Sequence, residues 1–281
     1  MHFLTNTKAQ LEVTFDAGDA TGDVTVSVKN AAGTEISTGN ATSDESLTGR
    51  YTYALDPQPN VASLTTTWSG TWDGAAQSFE TSDEIVATQL FTLAELRDFD
   101  DKALADSNKW PDALLAAQRD QITDDFEQIC NVSFIRRFRR DQLDGMLRRD
   151  LYLMERKPQK ILAASVDGDP LDDDTIAGLT LYQSGKLYRS TLWPWNPLRP
   201  HNVVIDYEYG WQRVPAGIKR AALILARYEL VTRDIGDRVV SVNTELGQVR
   251  LSVPGTNYPT GIPLVDAALS RYDETSQIEP F

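Results

Sequence analysis

The sequence is short of the residues that carry most acid–base, metal and redox chemistry. It has one cysteine, Cys130, so no internal disulfide can form, and this fits a reducing compartment. Its two histidines, His2 and His201, leave little for acid–base or metal chemistry. No Gly-rich phosphate loop and no HExxH, GxSxG or CxxC motif is present. Together these absences predict a protein that is not an enzyme.

Long apolar runs and positive charge are also scarce. No apolar run approaches the roughly 20 residues that span a bilayer. The N-terminus has no secretory apolar region. The chain has 27 Lys and Arg against 41 Asp and Glu, a formal net charge of −14. We therefore expect no membrane partner, no general nucleic-acid binding, and a protein made in a cytoplasm.

The charge is unevenly distributed along the 281 residues. Residues 1–90 contain three basic and twelve acidic side chains, whereas residues 91–281 contain 24 and 29. The periodicity of the apolar residues changes at the same place. Both observations predict a domain boundary near residue 90.

Residues 10–88 have the pattern of an all-β module. The runs "VTVSV", "YTYAL" and "LTTTW" each alternate, and turn signals such as "DATGD", "DPQPN" and "WDGAA" separate them. Short strands at regular spacing over roughly 80 residues predict an immunoglobulin-like sandwich. Because the module has no cysteine pair, it must be held by packing alone.

Residues 91–281 begin and end with helical patterns around a second set of strands. Thr92 and Glu95 have the spacing of a capping box. Pro111 fits the first position of a longer helix, and Asn131 fits its C-terminal stop. Residues 132–212 predict strands, including hairpins that turn at "DG" (167–168) and "SG" (184–185).

The stretch "VVIDYEYGWQRVPAGIKRAALILARYEL" predicts a strand, a break at Gly210, and a helix that starts near Pro215. This helix is apolar on nearly every side, so it needs neighbours on every side, in its own chain and in other copies. The last helix, "PLVDAALSRY", is too short to be stable alone and needs a surface on which to dock. Its apolar side chains are expected along one side: Leu264, Val265, Ala268, Leu269 and Tyr272.

Three segments have competing interpretations. The arginines of "FIRRFRRD" suit either a phosphate or nucleic-acid contact, or ion pairs within the chain or with a neighbour; the acidic composition favours the pairs. Trp193 and Trp195 suit a sugar platform, a protein interface, or packing against a sheet. "DGDPLDDD" lacks the spacing of a calcium-binding EF-hand loop and is interpreted as a solvated turn.

The second half of the chain resembles a known family. In order, it contains "VDG", "GKLYR" with a downstream tryptophan, "YEYG" followed by "VPAGIKRAALILA", and "TGIPLVDAALSRY". These stretches are similar to those of head–tail connector proteins, also called adaptor or head-completion proteins, of long-tailed double-stranded DNA bacteriophages. The resemblance covers about residues 91–275 and does not extend to the N-terminal β module.

The resemblance implies no catalysis and no cofactor, and together with the β pattern of residues 1–90 it implies a multidomain chain. An all-β immunoglobulin-like sandwich (1–90) would precede an α+β connector domain (91–261), whose helices carry an antiparallel β insertion at about 132–212. A C-terminal docking helix and tail (262–281) would follow. The chain would form a ring, usually of twelve copies, in the neck of a virion assembled in the host cytoplasm. Its partners would be the portal protein, the next neck or tail-completion protein, and double-stranded DNA in the channel, held only by non-specific proximity.

The candidate site residues follow from this interpretation. The C-terminal segment would dock on the portal through Ile262, Leu264, Val265, Leu269 and Tyr272. Contacts between subunits or with the portal are expected from Arg136, Arg137, Arg139, Arg140, Trp193 and Trp195. Deleting residues 262–281 should then leave a folded protein that no longer joins the portal.

Two other functions compete with this one. A cell-surface or carbohydrate-binding module would use the β-sandwich together with Trp193 and Trp195. An enzyme built on scattered carboxylates would need a deep pocket with carboxyl groups of perturbed pKa.

Overall fold

The computed structural model describes residues 1–231, 241–244, 247–250 and 259–272. The chain divides into two compact units, each built from two separate segments of sequence. One unit contains residues 1–88 and 136–212, and the other contains residues 89–135 and 213–281. The described residues are mostly β, with five helices. The limits expected at residues 90 and 261 stay a prediction, and the end of the C-terminal segment lies outside the described residues.

The N-terminal part of the first unit is a pair of β-sheets. The first sheet has the strand order β1-β8-β7-β3-β4 and the second has the order β2-β6-β5. Their bounds are β1 His2–Leu4, β2 Ala9–Thr14, β3 Thr25–Asn30, β4 Glu35–Asn40, β5 Thr42–Ser43, β6 Arg50–Leu55, β7 Ala62–Trp72 and β8 Ala75–Val86.

The two sheets share one apolar core, as the alternating pattern predicts. Val26 and Trp68 of the first sheet and Leu11 and Leu55 of the second belong to the same buried cluster. Alternate residues face the core because successive side chains of a strand point to opposite faces. The prediction of an all-β N-terminal segment is therefore confirmed at the level of strands and core.

Two smaller sheets complete the first unit. One has the order β12-β11-β15-β9 and the other has the order β10-β14-β13. Asp167 and Gly168, both at positive φ (55° and 95°), form the predicted turn between β11 and β12. The bounds are β9 Arg137–Leu143, β10 Asp150–Tyr152, β11 Pro158–Val166, β12 Asp169–Pro170, β13 Thr180–Leu181, β14 Lys186–Tyr188 and β15 Val203–Tyr209, with the short helix α3 (Asp173–Ala177) after β12.

The second unit is mainly helical, with α1 (Leu93–Asp98), α2 (Asp112–Cys130), α4 (Ala216–Val231) and α5 (Pro263–Leu269). It also contains a two-stranded hairpin, β16 (Ser241–Thr244) with β17 (Gly247–Arg250). Thr92 and Glu95 form the predicted capping box. Pro111 precedes α2 as its N-cap rather than occupying the first helical position. Asn131 ends α2 in the left-handed conformation, φ 50°, as predicted.

Helix α4 forms the centre of the helical unit. It contacts α1, α2 and α5, which explains its apolar surface without requiring another copy of the chain. The seven buried residues on it are Ile218, Ala221, Ala222, Leu223, Leu225, Ala226 and Leu230. None of the helices in the described part of the chain is long and apolar enough to cross a membrane.

Candidate protein-interaction surface

The largest group of exposed apolar side chains lies on two loops of the first unit, residues 144–149 and 189–202. We call it the loop platform. Its members are 53% to 93% exposed: Met146, Leu147, Leu192, Trp195 and Leu198. Large apolar patches are uncommon on monomeric proteins and mark interaction sites, so a group of exposed apolar side chains on two bonded loops is a candidate.

Hydrogen bonds hold the two loops of the platform together. The Leu147 N–H donates to the carbonyl of Trp193 at 3.1 Å, and the Trp193 N–H donates to the carbonyl of Arg148 at 2.7 Å. The side-chain amide of Asn202 joins both loops, because it accepts from the Gly145 N–H at 3.1 Å and donates to the Pro194 carbonyl at 3.0 Å. Asn202 is itself buried, so the exposed side chains stand on a fixed backbone.

The platform backbone is strained in the loop that carries Met146 and Leu147. Met146 and Leu147 both have positive φ, 49° and 53°, a region that non-glycine residues seldom adopt. Gly145 precedes them because a Cβ there would lie 1.8 Å from the carbonyl oxygen of Pro194. Strain of about 1–3 kcal/mol per residue persists only where the surroundings enforce it, and it concentrates at functional sites.

Positive charge borders the platform. Arg148, Arg149 and Arg199 are exposed, and none of them has an ion pair with any residue that the structure describes. Three unpaired arginines beside five exposed apolar side chains make a basic and apolar surface on a chain whose net charge is −14.

Sequence reasoning identified only Trp195 among these side chains. Met146, Leu147, Leu192 and Leu198 were missed, since isolated apolar residues in loops have no periodicity. The available signal was the apolar pair in "DGMLRR", where a turn dipeptide is followed by two large apolar residues and two arginines.

The two tryptophans lie in opposite environments. Trp193 is 0% exposed and belongs to the core cluster with Leu187, Val203 and Tyr207. It therefore cannot present its ring to a sugar or to another protein, which corrects its selection as a contact residue. Its neighbour Trp195 is 56% exposed and stays a candidate.

The arginines of "FIRRFRRD" are paired with acidic side chains of the same chain. Arg136 precedes β9, and within β9 Arg137 and Arg139 share one face while Arg140 lies on the other, so the arginines meet different partners. The pairs include Arg136 with Glu208 (2.9 Å), Arg137 with Glu84 (3.4 Å), Arg139 with Glu155 (2.6 Å) and Arg140 with Asp206 (2.9 Å). The paired interpretation is confirmed. Asp206 and Glu208 are part of this ion-pair arrangement, and Glu208 is buried. Contacts of these arginines with other subunits stay a prediction.

Asp141 joins one of these arginines to the core. It is 3% exposed and accepts hydrogen bonds from the Arg139 guanidinium (3.0 Å), the Tyr207 hydroxyl (2.8 Å) and the Met154 N–H (2.8 Å). Burial raises the pKa of the Tyr207 hydroxyl well above its ordinary value, so the hydroxyl stays a donor. The network ties β9 to β15 and to the loop after β10, which is a structural task.

The C-terminal helix α5 is part of the core of the helical unit. Val265 and Leu269 are 0% and 1% exposed, the Leu269 carbonyl accepts from the Cys130 thiol at 3.5 Å, and the Tyr272 ring packs edge-on against Phe134. Their packing corrects the expectation that they share an exposed docking face. Leu264 is 58% exposed, and Ile262 is partly exposed as the N-cap of α5. These two residues remain available for docking.

A cleft of about 530 Å³ lies in the helical unit, between α2, α4 and the segment before α5. Its lining includes Asp125, Gln128, Glu229 and Thr260. Burial, reinforced by the neighbouring charge of Asp124, raises the pKa of the Asp125 carboxyl. Glu229 accepts a hydrogen bond from the Gln118 amide. The cleft has room for a small polar molecule, but no nucleophile and base are arranged in it.

No cluster of His, Cys, Asp and Glu that could hold a metal ion occurs among the described residues. Cys130 is buried. Protein-family models were compared with the chain, and none matches it. A search of curated proteins also gave no match.

Proposed function

We propose that this protein is a structural virion component, a head-to-tail adaptor that forms a ring in a phage neck, binds the portal and links it to the tail. The single observation that carries the proposal is the loop platform, which is rigid, apolar, basic and exposed. Those properties suit a protein–protein contact. The resemblance of residues 91–275 to head–tail connector proteins supplies the kind of assembly.

The same proposal gives each part of the chain a task. The two-sheet N-terminal module is an immunoglobulin-like addition, and the helices with the inserted strands are the connector domain. Leu264 and Ile262 face the portal, while Val265 and Leu269 hold α5 to the helical unit. The acidic composition suits a channel through which DNA slides without sticking, because negative walls repel phosphates.

The test is the mass of the purified protein by light scattering, alone and mixed with the portal ring of the same phage. A defined multimer that includes the portal ring is the expected result. A chain that does not bind the portal ring overturns the proposal. Binding of a glycan that is lost in Trp195→Ala would favour the carbohydrate-binding function instead.

The docking residues can be tested without unfolding the helical unit. Leu264→Asp should abolish joining to the portal, because it places a charge in the docking face and removes no buried side chain. Tyr182→Asp, which changes a 46% exposed side chain elsewhere, is the matched control and should bind normally. Equal binding by the two variants would contradict the assignment of Leu264.

A further inference from the structure

The N-terminal sandwich carries a surface whose charge is opposite to that of the loop platform. The loops 15–24, 44–49 and 72–74 meet at one end of the two sheets. The Thr21 N–H donates to the Thr71 carbonyl at 2.7 Å, and the Gly49 N–H donates to the Asp19 carboxylate at 2.7 Å. We call this surface the acidic end.

The acidic end is rich in exposed carboxylates and carries one large exposed apolar side chain. Its exposed carboxylates are Asp16, Asp19, Asp23, Glu45 and Asp73. Leu47, in the same loops, is 50% exposed. The one basic residue close by, Arg50, is already paired with Glu12 at 2.6 Å and Asp44 at 3.5 Å. The other two basic residues of the module, Lys8 and Lys29, lie at the opposite ends of β2 and β3.

We propose that the loop platform of one copy docks on the acidic end of the next copy. Arg148, Arg149 and Arg199 meet the five carboxylates, and the exposed apolar side chains of the platform cover Leu47. Charge complementarity is the reason for assigning a second copy of the chain as the partner of the platform. The platform is positive on a chain of net charge −14, and the surface that complements it is present on the same chain.

The two surfaces differ, so the contact is head-to-tail. A contact of that kind closes into a ring when the rotation between copies divides a full turn, and otherwise continues as a filament. The inference therefore rests on the proposed ring and names the surfaces that build it. Complementary charges mainly accelerate and select the encounter, and the buried apolar anchors hold it.

The test uses charge reversal in the full-length chain. The platform variant is Arg148→Glu with Arg149→Glu, and the end variant is Asp16→Lys with Glu45→Lys. Each should raise the dissociation constant for self-association more than about tenfold, because like charges then face each other. Sedimentation velocity at low salt measures it, and circular dichroism checks folding.

Control variants test whether the loss of association is specific to these two surfaces. Lys8→Glu with Lys29→Glu changes the net charge as much as the platform variant does, at the opposite end of the sandwich, and should associate like the wild type. An equimolar mixture of the platform and end variants should regain association, since each then meets a complementary surface. Trp195→Ala, which leaves every charge in place, should also weaken association about tenfold.

Several results would overturn the inference. They are a wild-type chain that stays monomeric at low salt up to about 1 mM, a platform variant that associates like its control, and a mixture that stays monomeric. Binding of the wild type to phosphatidylglycerol vesicles in place of self-association would assign the platform to a membrane instead.

The portal experiment separates this inference from the proposed function. A platform variant that binds the portal as single copies supports both the contact and the adaptor. A wild-type chain that self-associates but does not bind the portal overturns the adaptor function and still supports the contact between copies.

Discussion

Helix α4 and the loop platform are both rich in large apolar residues, but these residues are buried in α4 and exposed on the platform. In α4, three other helices cover the apolar side chains, and Leu225 is 4% exposed. On the platform no described element covers them, and Leu198 is 93% exposed. The difference shows that apolar content alone does not distinguish a core from an interface. In this chain the neighbours of a segment make that distinction.

The largest expected effect contrasts one leucine from each region. Leu225→Ala should lower the free energy of unfolding by about 2–5 kcal/mol, because it removes buried methyl groups and leaves a cavity. Leu198→Ala makes the same chemical change at an exposed site and should stay within about 0.5 kcal/mol of wild type. Urea unfolding curves of both variants measure the difference. Similar losses in the two variants would mean that the platform is covered in the isolated chain.

The second prediction applies the same contrast within α5. Leu269→Ala should lower the free energy of unfolding by about 2–4 kcal/mol, whereas Leu264→Ala should change it little. Deleting residues 262–281 should therefore destabilise the helical unit, contrary to the expectation from sequence. A truncated protein with an unchanged melting temperature would show that α5 is dispensable for folding.

The third prediction concerns the hydrogen-bonded and ion-paired network around Asp141. Asp141→Asn should lower the free energy of unfolding by about 1–3 kcal/mol, because Arg139 and the Tyr207 hydroxyl lose a buried charged acceptor. Asp169→Asn, on the exposed strand β12, is the control and should have little effect. Equal stability of the two variants would contradict a structural role for the network.

The fourth prediction is a small pH effect in the helical unit. Glu95 bonds to Lys219 and accepts from the Thr92 N–H at 2.8 Å, and these contacts lower the pKa of the Glu95 carboxyl below 4.5, with the Lys219 hydrogen bond as the largest cause. Its stabilising contribution is therefore present above pH 4.5 and is lost as the pH falls through the lowered value.

Glu95→Gln should remove less than about 1 kcal/mol of stability at pH 7, because both partners are partly exposed to solvent. The deficit relative to wild type should disappear in acid. Thermal unfolding between pH 2 and pH 7 measures it. A deficit that persists unchanged at the lowest pH would mean that the carboxylate charge is not the cause.

The smallest effect is expected at the strained point of the platform. Leu147→Gly should leave the free energy of unfolding near that of wild type, because relief of about 1–2 kcal/mol of left-handed strain offsets the entropy that glycine loses on folding. Leu192→Gly, at a residue without positive φ, should lose about 0.5–1 kcal/mol. Chemical denaturation compares the two, and a larger loss in Leu147→Gly would contradict the strain.

Much of the local structure could be predicted from the sequence, because it depends on residues close together in the chain. The Thr92–Glu95 capping box, the stop at Asn131 and the "DG" turn at 167–168 each involve contacts over four residues or fewer. The alternating faces of β3 and β7 were predictable for the same reason, since the pleat of a strand sets them.

The candidate site could be predicted only in part. Trp195 and the four arginines were identified, but the partners of the arginines lie as far away as Glu84 and Glu208. The pair of Arg140 with Asp206 follows from the register of β9 on β15, whereas Arg137 and Arg139 pair with residues outside β15. No local pattern specifies these partners.

The sequence by itself therefore determined the elements, their caps and turns, the acidic N-terminal module and the scarcity of catalytic residue types. The tertiary structure alone decided that Trp193 is core while Trp195 is surface, and that Val265 is buried while Leu264 is exposed. The physical reason is that burial depends on which distant segments meet a side chain. Of two similar residues close together in the sequence, one can therefore be buried and stabilise the fold while the other stays exposed and available to a partner.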